Sequence, residues 1–510
     1  MEPRLNGVVA LLGLVAIGLS LWQLLADTRD LAIEPMAIGE TPATLYRPAD
    51  GDAGPAVVIA HGFAGSQQLM QSFAIALAKN GYRALTYDAL GHGLNPNPMT
   101  GDIGDPDGAS RALLDQLDHP VERARALAPG RPIALVGHSM ASDIVVRYAK
   151  GHPETVVATV ALSLFSPAAD VDGPRNLLVL TGAWESDYLK TEALRAVGAG
   201  RDEAAEPARI YGSFQDGSAR QALFIEGAEH IRVLFARESL EETARWLDQA
   251  FGRADGTVET VRRGPWIALL LVGVVLLMRP LASRLPALGG EPLGASLTWR
   301  QFLPAALVPA VATPLLLALV PTDFLDLLAG DYLAAHFLAY GLIIAAVLYW
   351  LRRRRAEPQP VRPIPSLQLV AVSALVSATL VLAIGLPLDR FVINFWPGDG
   401  RGGLLVALLA GTFAYFTADE WLSRGGDAPR GAYWLSKLLF LLSLGAAVAL
   451  APSERFTLLI LIPVLVPTFL IAGLTSRWCY IRTRHPIPAG IAGALLVGWA
   501  LGVTFPVMNG

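Results

Sequence analysis

The sequence holds a single cysteine, Cys479. It therefore offers no intrachain disulfide and no cysteine-ligated zinc site. Charge is scarce in the second half. Residues 265–510 carry 17 Lys+Arg and 11 Asp+Glu, against 23 and 33 in residues 1–264. A half so poor in charge and rich in apolar runs has a membrane composition, which excludes a chain that is soluble or disordered throughout. A basic surface is also missing from the polar half. Its net charge of −10 repels phosphate, so no nucleic-acid partner is expected. There is no 20–50-residue repeat and no long low-complexity tract; the Pro-rich stretch 356–365 reads as a cytoplasmic linker.

What is present divides the chain. An apolar run follows Arg4 and extends through residues 5–26. It is long enough to span, and Leu24 and Ala26 make a poor cleavage site, so residues 1–27 read as an uncleaved signal anchor. Eight further candidate spans lie near 266–283, 302–320, 333–351, 367–386, 403–418, 433–451, 456–474 and 488–506. They make residues 263–510 an all-α transmembrane bundle. With the N-terminus inside, the inner loops hold thirteen arginines and the outer loops three: Arg390, Arg401 and Arg455. This bias predicts a multi-pass protein of the plasma (inner) membrane, with residues 28–262 on the extracytoplasmic side. Few ionisable groups fall inside spans. His336 and the pair Asp419-Glu420 lie near span ends, where interfacial solvation is expected.

Residues 28–262 are long enough to bury a full core without disulfides. Strands are predicted at 56–60, 83–87, 133–136, 156–164, 177–180 and 222–225, and helices at 67–80, 109–127, 140–151 and 236–251. The strand runs are continuously apolar, as a parallel sheet covered on both faces requires. Alternation with helices predicts a three-layer α/β domain.

Gly137-His138-Ser139-Met140-Ala141 follows a predicted strand and opens a helix. That is the setting of a nucleophile elbow, whose sharp turn needs small residues on both sides of the serine. Read blandly, Ser139 would cap the helix. His61-Gly62-Phe63 follows the 56–60 strand, which makes the N–H groups of Phe63 and Met140 candidate oxyanion donors. Tyr87-Asp88-Ala89-Leu90-Gly91-His92-Gly93 follows the next strand. Of the six histidines here, only His230 comes after the last strand, where a general base belongs in the order Ser, acid, His. His138 should point sideways. The orienting acid should follow the 177–180 strand, and Glu185 and Asp187 compete for that role, with Glu185 favoured.

These motifs resemble the α/β-hydrolase family, nearest its serine esterase, monoacylglycerol-lipase and serine-aminopeptidase-like branch. The resemblance covers residues 42–252. It implies a mostly parallel sheet and a Ser139–His230–acid triad, with no cofactor and no metal. The sequence departs from the family in three places. Ala141 stands where glycine is usual, Glu185 where aspartate is usual, and only about ten residues separate the fourth and fifth predicted strands, which leaves no room for a helical cap. A short helix around 188–197 is the only candidate cover in that region.

The expected function is a membrane-anchored serine hydrolase acting on carboxylic, acyl or lipid esters. An acyltransferase with the same triad and a transporter or assembly protein with a non-catalytic domain are the alternatives. The expected partners are the bilayer and a small-molecule or lipid ester; the sequence names no protein partner. Without a cap, the bilayer or an outer loop is expected to wall the site, with residues 391–403 (including Phe395, Trp396, Asp399 and Arg401) as the candidate loop.

Overall fold

Short runs rich in valine, leucine and alanine form the centre of an eight-stranded sheet in the computed structural model. The structure describes residues 2–50, 54–101, 108–200, 203–253, 256–322, 324, 330–354, 366–455 and 458–509. The Pro-rich stretch 356–365 lies outside them.

The strands are β1 (Leu31–Ile38), β2 (Thr41–Pro48), β3 (Ala56–Ala60), β4 (Arg83–Tyr87), the short β5 (Met99–Thr100), β6 (Ile133–His138), β7 (Val156–Leu162), β8 (Leu177–Gly182), β9 (Arg220–Ile225) and the short β10 (Met508–Asn509). The large sheet runs β1-β2-β4-β3-β6-β7-β8-β9. Its β4-to-β9 portion is parallel, while β1 and β2 pair antiparallel at one edge. The sequence reading missed this pair because Pro35, Pro42 and Pro48 punctuate it. Pro35 lies on the edge strand β1, and Pro42 and Pro48 lie outside the Ala43–Tyr46 stretch of β2 that pairs with β4, positions where proline is tolerated.

Side chains of the central strands alternate between the two faces. Ala134 and Val136 of β6 pack with α2 (Gln71–Lys79) and α6 (Arg237–Ala250). Ile133 and Leu135 pack with α3 (Ala109–Leu127) and α4 (Met140–Gly151). Helix α5 (Asp187–Gly198) covers β7 and β8 on the latter face through Ala193, Ala196 and Val197. Each parallel strand is therefore buried on both sides, which is why its sequence is apolar without interruption.

The apolar helices are α1 (Glu2–Ala26), α7 (Arg263–Ala282), α8 (Trp299–Leu317), α9 (Gly330–Arg354), α10 (Ser366–Phe391), α11 (Gly402–Ser423), α12 (Ala432–Leu450), α14 (Leu458–Thr483) and α15 (Ile487–Thr504). A single turn, α13 (Pro452–Arg455), precedes α14. Among the described residues, nine helices are long and apolar enough to cross a membrane, consistent with a multi-pass membrane protein.

The chain forms two compact units. One comprises residues 1–18, 270–386 and 400–503; the other comprises 19–269, 387–399 and 504–510. The second therefore contains the sheet and two segments from far along the chain.

Within the helical unit, the polar groups expected at solvated span ends are buried. Lys437 of α12 lies 2.6 Å from Asp419 of α11, and both are shielded from solvent. Ser436 also donates to Asp419. The ammonium sits 4.4–5.3 Å from the ring centres of Tyr415, Phe416, Tyr433 and Phe469. Glu420 pairs with Arg424 at 3.0 Å and accepts from Ser476. His336 lies between Tyr332 Oη at 3.4 Å and Ser443 Oγ at 3.2 Å. Counter-charges and hydroxyls, from the same helix as well as from neighbouring ones, do the solvating that interfacial water was expected to do.

Candidate active site

Strand β6 ends at His138, and α4 begins at Met140. Ser139 alone makes the turn, at φ +52° and ψ −117°. A non-glycine residue at positive φ is strained and has to be held by its surroundings. Its N–H donates to Leu162 O of β7 at 2.8 Å, and its carbonyl accepts from Ser142 N at 2.8 Å and Ser142 Oγ at 2.6 Å. The turn also demands Gly137. A Cβ there would come within 2.5 Å of Ala141 O and 2.6 Å of Val145 Cγ2.

His230 lies beyond β9, before α6. Its Nε2 stands 3.0 Å from Ser139 Oγ, and its Nδ1 stands 2.5 Å from Glu185 Oε1. That pattern fits a ring that carries its proton on Nδ1 and accepts on Nε2. The Glu185 side chain is almost fully buried. Its second oxygen accepts from Gly182 N at 2.6 Å and Ser163 Oγ at 2.9 Å. The structure therefore brings together Ser139, His230 and Glu185. Asp187 is not part of the group. Its side chain is 97% exposed and pairs with Lys190 at 2.8 Å, a contact that holds its carboxyl below the usual range.

Phe63 and Met140 flank the serine. The Gly62 backbone lies so close to the elbow that a Cβ on it would sit 3.0 Å from Ser139 Cβ and His138 O. The bond from Gly65 N to Gly62 O, 3.1 Å, closes the turn that exposes the Phe63 amide. Among the described residues, that amide has no acceptor in the protein. Met140 opens α4, so its N–H has no intrahelical acceptor either. Both amides are free to serve an anion beside Ser139, at the end of the helix that favours negative charge.

The sequence reading turned His138 aside; the structure does not. His138 Nε2 lies 3.0 Å from His230 O, and the two rings are 4.8 Å apart. His138 thus props the His230 loop from beneath. Burial drives its pKa well below the ordinary value, so the ring is neutral. Ser163, at φ +53°, was also missed. A serine after an apolar strand carries no local signal; only the fold aims it at Glu185. Asp88, fully buried, accepts from Gln67 N at 2.8 Å and Leu94 N at 3.1 Å and so fixes the loop after β4. Its pKa is raised by burial, and that of nearby His61 is lowered by burial. Among the described residues, no group of three or more His, Cys, Asp or Glu side chains is placed to hold a metal ion.

Residues 51–207 match the family model described as serine aminopeptidase, S33. A protein of Mycobacterium phage D29 named as a non-heme haloperoxidase is 32% identical over 110 residues, 21% of this chain and 36% of that protein. An sn-1-specific diacylglycerol lipase of Xenopus tropicalis is 36% identical over 126 residues, 24% of this chain and 35% of that protein. The match spans only about a third of these relatives. Among solved structures, a membrane phospholipase A described as a bacterial virulence factor is 15% identical, with a TM-score of 0.32, covering 49% of this chain and 99% of that one. A soluble variant of monoglyceride lipase from Saccharomyces cerevisiae is 13% identical, with a TM-score of 0.32, covering 44% and 97%. The mostly parallel sheet and its covering helices form an α/β-hydrolase-like domain, of which residues 51–207, including the Ser139 elbow, match that hydrolase model.

Proposed function

We propose that this protein is a membrane-tethered serine hydrolase that cleaves carboxylic esters through an acyl-enzyme. The observation that carries the reading is the continuous relay from Ser139 Oγ through His230 to the buried carboxylate of Glu185, at 3.0 and 2.5 Å. A helix-capping serine has no need of a base and an orienting acid.

In the forward step, Ser139 Oγ attacks the ester carbonyl carbon while His230 Nε2 takes the hydroxyl proton. The carbonyl oxygen becomes an oxyanion, received by the Phe63 and Met140 amides. Glu185 holds the imidazolium in register and balances its charge. The C–O bond then breaks, and His230 gives its proton to the leaving alcohol. Water repeats the sequence on the acyl-Ser139 ester and releases the acid.

The rim supports an apolar substrate. Trp184, beside Glu185, is 69% exposed, and Phe165 and Tyr188 are also exposed, with ring centres 6.0 Å apart. Phe165 N lies 3.3 Å from Ser142 Oγ, which puts this pair close to the elbow. Exposed aromatic groups around a nucleophile favour an acyl chain or lipid ester over a polar substrate.

Two span counts support an extracytoplasmic placement of the sheet, along with segments 387–399 and 504–509. Four apolar helices, α7 to α10, separate residue 262 from the segment at 387–399. Four more, α11, α12, α14 and α15, separate that segment from residue 504. An even number of crossings returns the chain to the side it left. The excess of arginine in the opposite loops assigns that side to the exterior.

The test is active-site labelling of the full-length protein with a fluorophosphonate. Labelling that maps to Ser139 and disappears in Ser139→Ala is the expected result. A folded protein that takes no label overturns the reading.

A further inference from the structure

The loop that presents the Phe63 amide is clamped by two segments from far along the chain. Residues 61–66 form this loop between β3 and the turn that leads into α2. On one side, Phe505 is almost fully buried, and its ring stands edge-on to Phe63, with centres 6.1 Å apart at 87°. Phe63 in turn stands edge-on to His92, also at 6.1 Å. The Phe505 segment is itself tied down. Val507 N donates to Gly91 O at 2.9 Å, Met99 N donates to Val507 O at 2.8 Å, and β10 runs parallel to β5. Gly91 has φ +74°, and a Cβ there would come within 2.5 Å of Val507 O, so this position is shaped to receive the tail.

On the other side, Asn394 N donates to the buried Ser66 Oγ at 2.9 Å. The segment around Asn394 is braced in turn. Gln71 Nε2 donates to Arg390 O at 3.2 Å, Phe395 N donates to Asp389 Oδ1 at 3.0 Å, and Asn394 Nδ2 donates to Trp396 O at 2.7 Å.

We propose that Phe505 and the Asn394 amide are positioning groups for the oxyanion loop, so that the site is complete only when residues 387–399 and 504–509 are in place. The proposal rests on the serine-hydrolase reading above and extends it. The oxyanion forms only as the tetrahedral species forms, so a donor shifted by a fraction of an ångström weakens the transition state and leaves ground-state binding alone. The loop's own bonds hold its ends: Gly65 N donates to Gly62 O, the buried His61 ring bonds Gly62 O at 2.8 Å and Ala89 N at 3.0 Å, and Leu69 N donates to Ser66 O. The strained Ala64, at φ +52°, and the Phe63 ring lie between them. An edge-to-face ring and a buried hydroxyl acceptor supply a further constraint. This role also accounts for a hydrolase unit that draws on the two segments following α10 and α15. A protein cut at residue 262 lacks both clamps.

The test uses the full-length protein in detergent with Phe505→Ala, Phe505→Leu, Ser66→Ala and Ser66→Thr. The readouts are kcat and KM for a p-nitrophenyl butyrate assay, Ki for an alkyl boronic acid, and Tm. Positioning predicts that Phe505→Ala and Ser66→Ala each lower kcat about tenfold to a hundredfold, with KM within about twofold. The boronic acid, which forms a tetrahedral adduct on serine, should weaken by a matching factor. Phe505→Leu and Ser66→Thr, which keep the bulk and the hydroxyl, should recover most of the loss. Unchanged kcat in the alanine variants overturns the proposal, as does a loss that follows Tm and the fraction of titratable serine with no change in boronate affinity. These results apply only if the parent protein labels at Ser139 and turns over. A parent that does neither defeats the hydrolase reading instead, so the two failures are distinguishable.

Discussion

Glu185 Oε1 stands 2.5 Å from His230 Nδ1, while Asp187, two residues on, faces solvent and pairs with Lys190. The two carboxylates are near neighbours in sequence and have opposite roles. The tight turn after β8 aims Glu185 at the ring and tucks its other oxygen against Gly182 N. Asp187 begins α5, where a negative charge suits the first turn. Glu185→Gln should lower kcat by about a thousandfold to ten-thousandfold, because the amide favours the wrong imidazole tautomer and cannot balance the imidazolium. Asp187→Asn should leave kcat within about twofold. Steady-state kinetics on both variants separates the roles; equal losses would reject the assignment.

The Ser163 hydroxyl donates not to His230 but to the carboxylate that orients it. Ser163→Ala leaves Glu185 with one fewer donor in a buried setting. A hydrogen bond to a charged acceptor is worth about 1.5–3 kcal/mol, and only the part that grows in the transition state appears in the rate. The expected outcome is a fall in kcat of about tenfold with KM little changed. Ser163→Thr, if its hydroxyl keeps the 2.9 Å contact, should restore activity.

Much of this site was legible in the sequence because its chemistry is local. Gly137, Ser139 and Ala141 announce the elbow by spacing alone, and His230 is marked by its place after the last strand. Helices α3 and α4 fall on their predicted residues because their apolar faces repeat at helical spacing. What stayed hidden depends on long-range contact. Nothing near Ser163 or His138 indicates that one will brace Glu185 and the other the His230 loop. Phe505 reads as the last apolar residue of a span until the fold brings it to Phe63, 442 positions away. Strands β1 and β2 were missed for a different reason. Their prolines oppose a strand assignment, and only the pairing of β2 with β4 overrides that local preference.

His138 makes stability depend on pH. Its folded-state pKa is depressed by burial, so below the ordinary value of 6.5 the unfolded chain takes a proton that the folded ring refuses. The stability associated with this group is therefore complete above that pH. It is lost as the pH falls toward the folded-state value, by up to about 1.4 kcal/mol per pH unit. Thermal unfolding of the detergent-solubilised protein should show Tm dropping below pH 6.5. His138→Gln cannot take up the proton and keeps a donor for His230 O, so it should flatten that slope. A slope unchanged by the substitution would place the titration elsewhere.

The pair Lys437–Asp419 predicts a non-additive response in the helical unit. Each charge is buried, at 3% and 0% side-chain exposure, and each is neutralised chiefly by the other. Lys437→Met removes the cation and leaves the buried Asp419 carboxylate with Ser436 as a donor but no counter-charge beside it. Losing one partner of a buried pair costs about 3–5 kcal/mol, whereas replacing both by apolar residues of similar volume is often neutral. Lys437→Met and Asp419→Leu should therefore each lower Tm strongly, and the double variant should recover most of the loss. The cycle is read by thermal unfolding in detergent, with fluorophosphonate labelling of Ser139 as a separate measure of the hydrolase unit. Additive losses would mean that the two charges do not depend on each other. Full recovery would identify the pair as a self-contained element, in which Lys437 solvates Asp419 and the surrounding rings solvate Lys437.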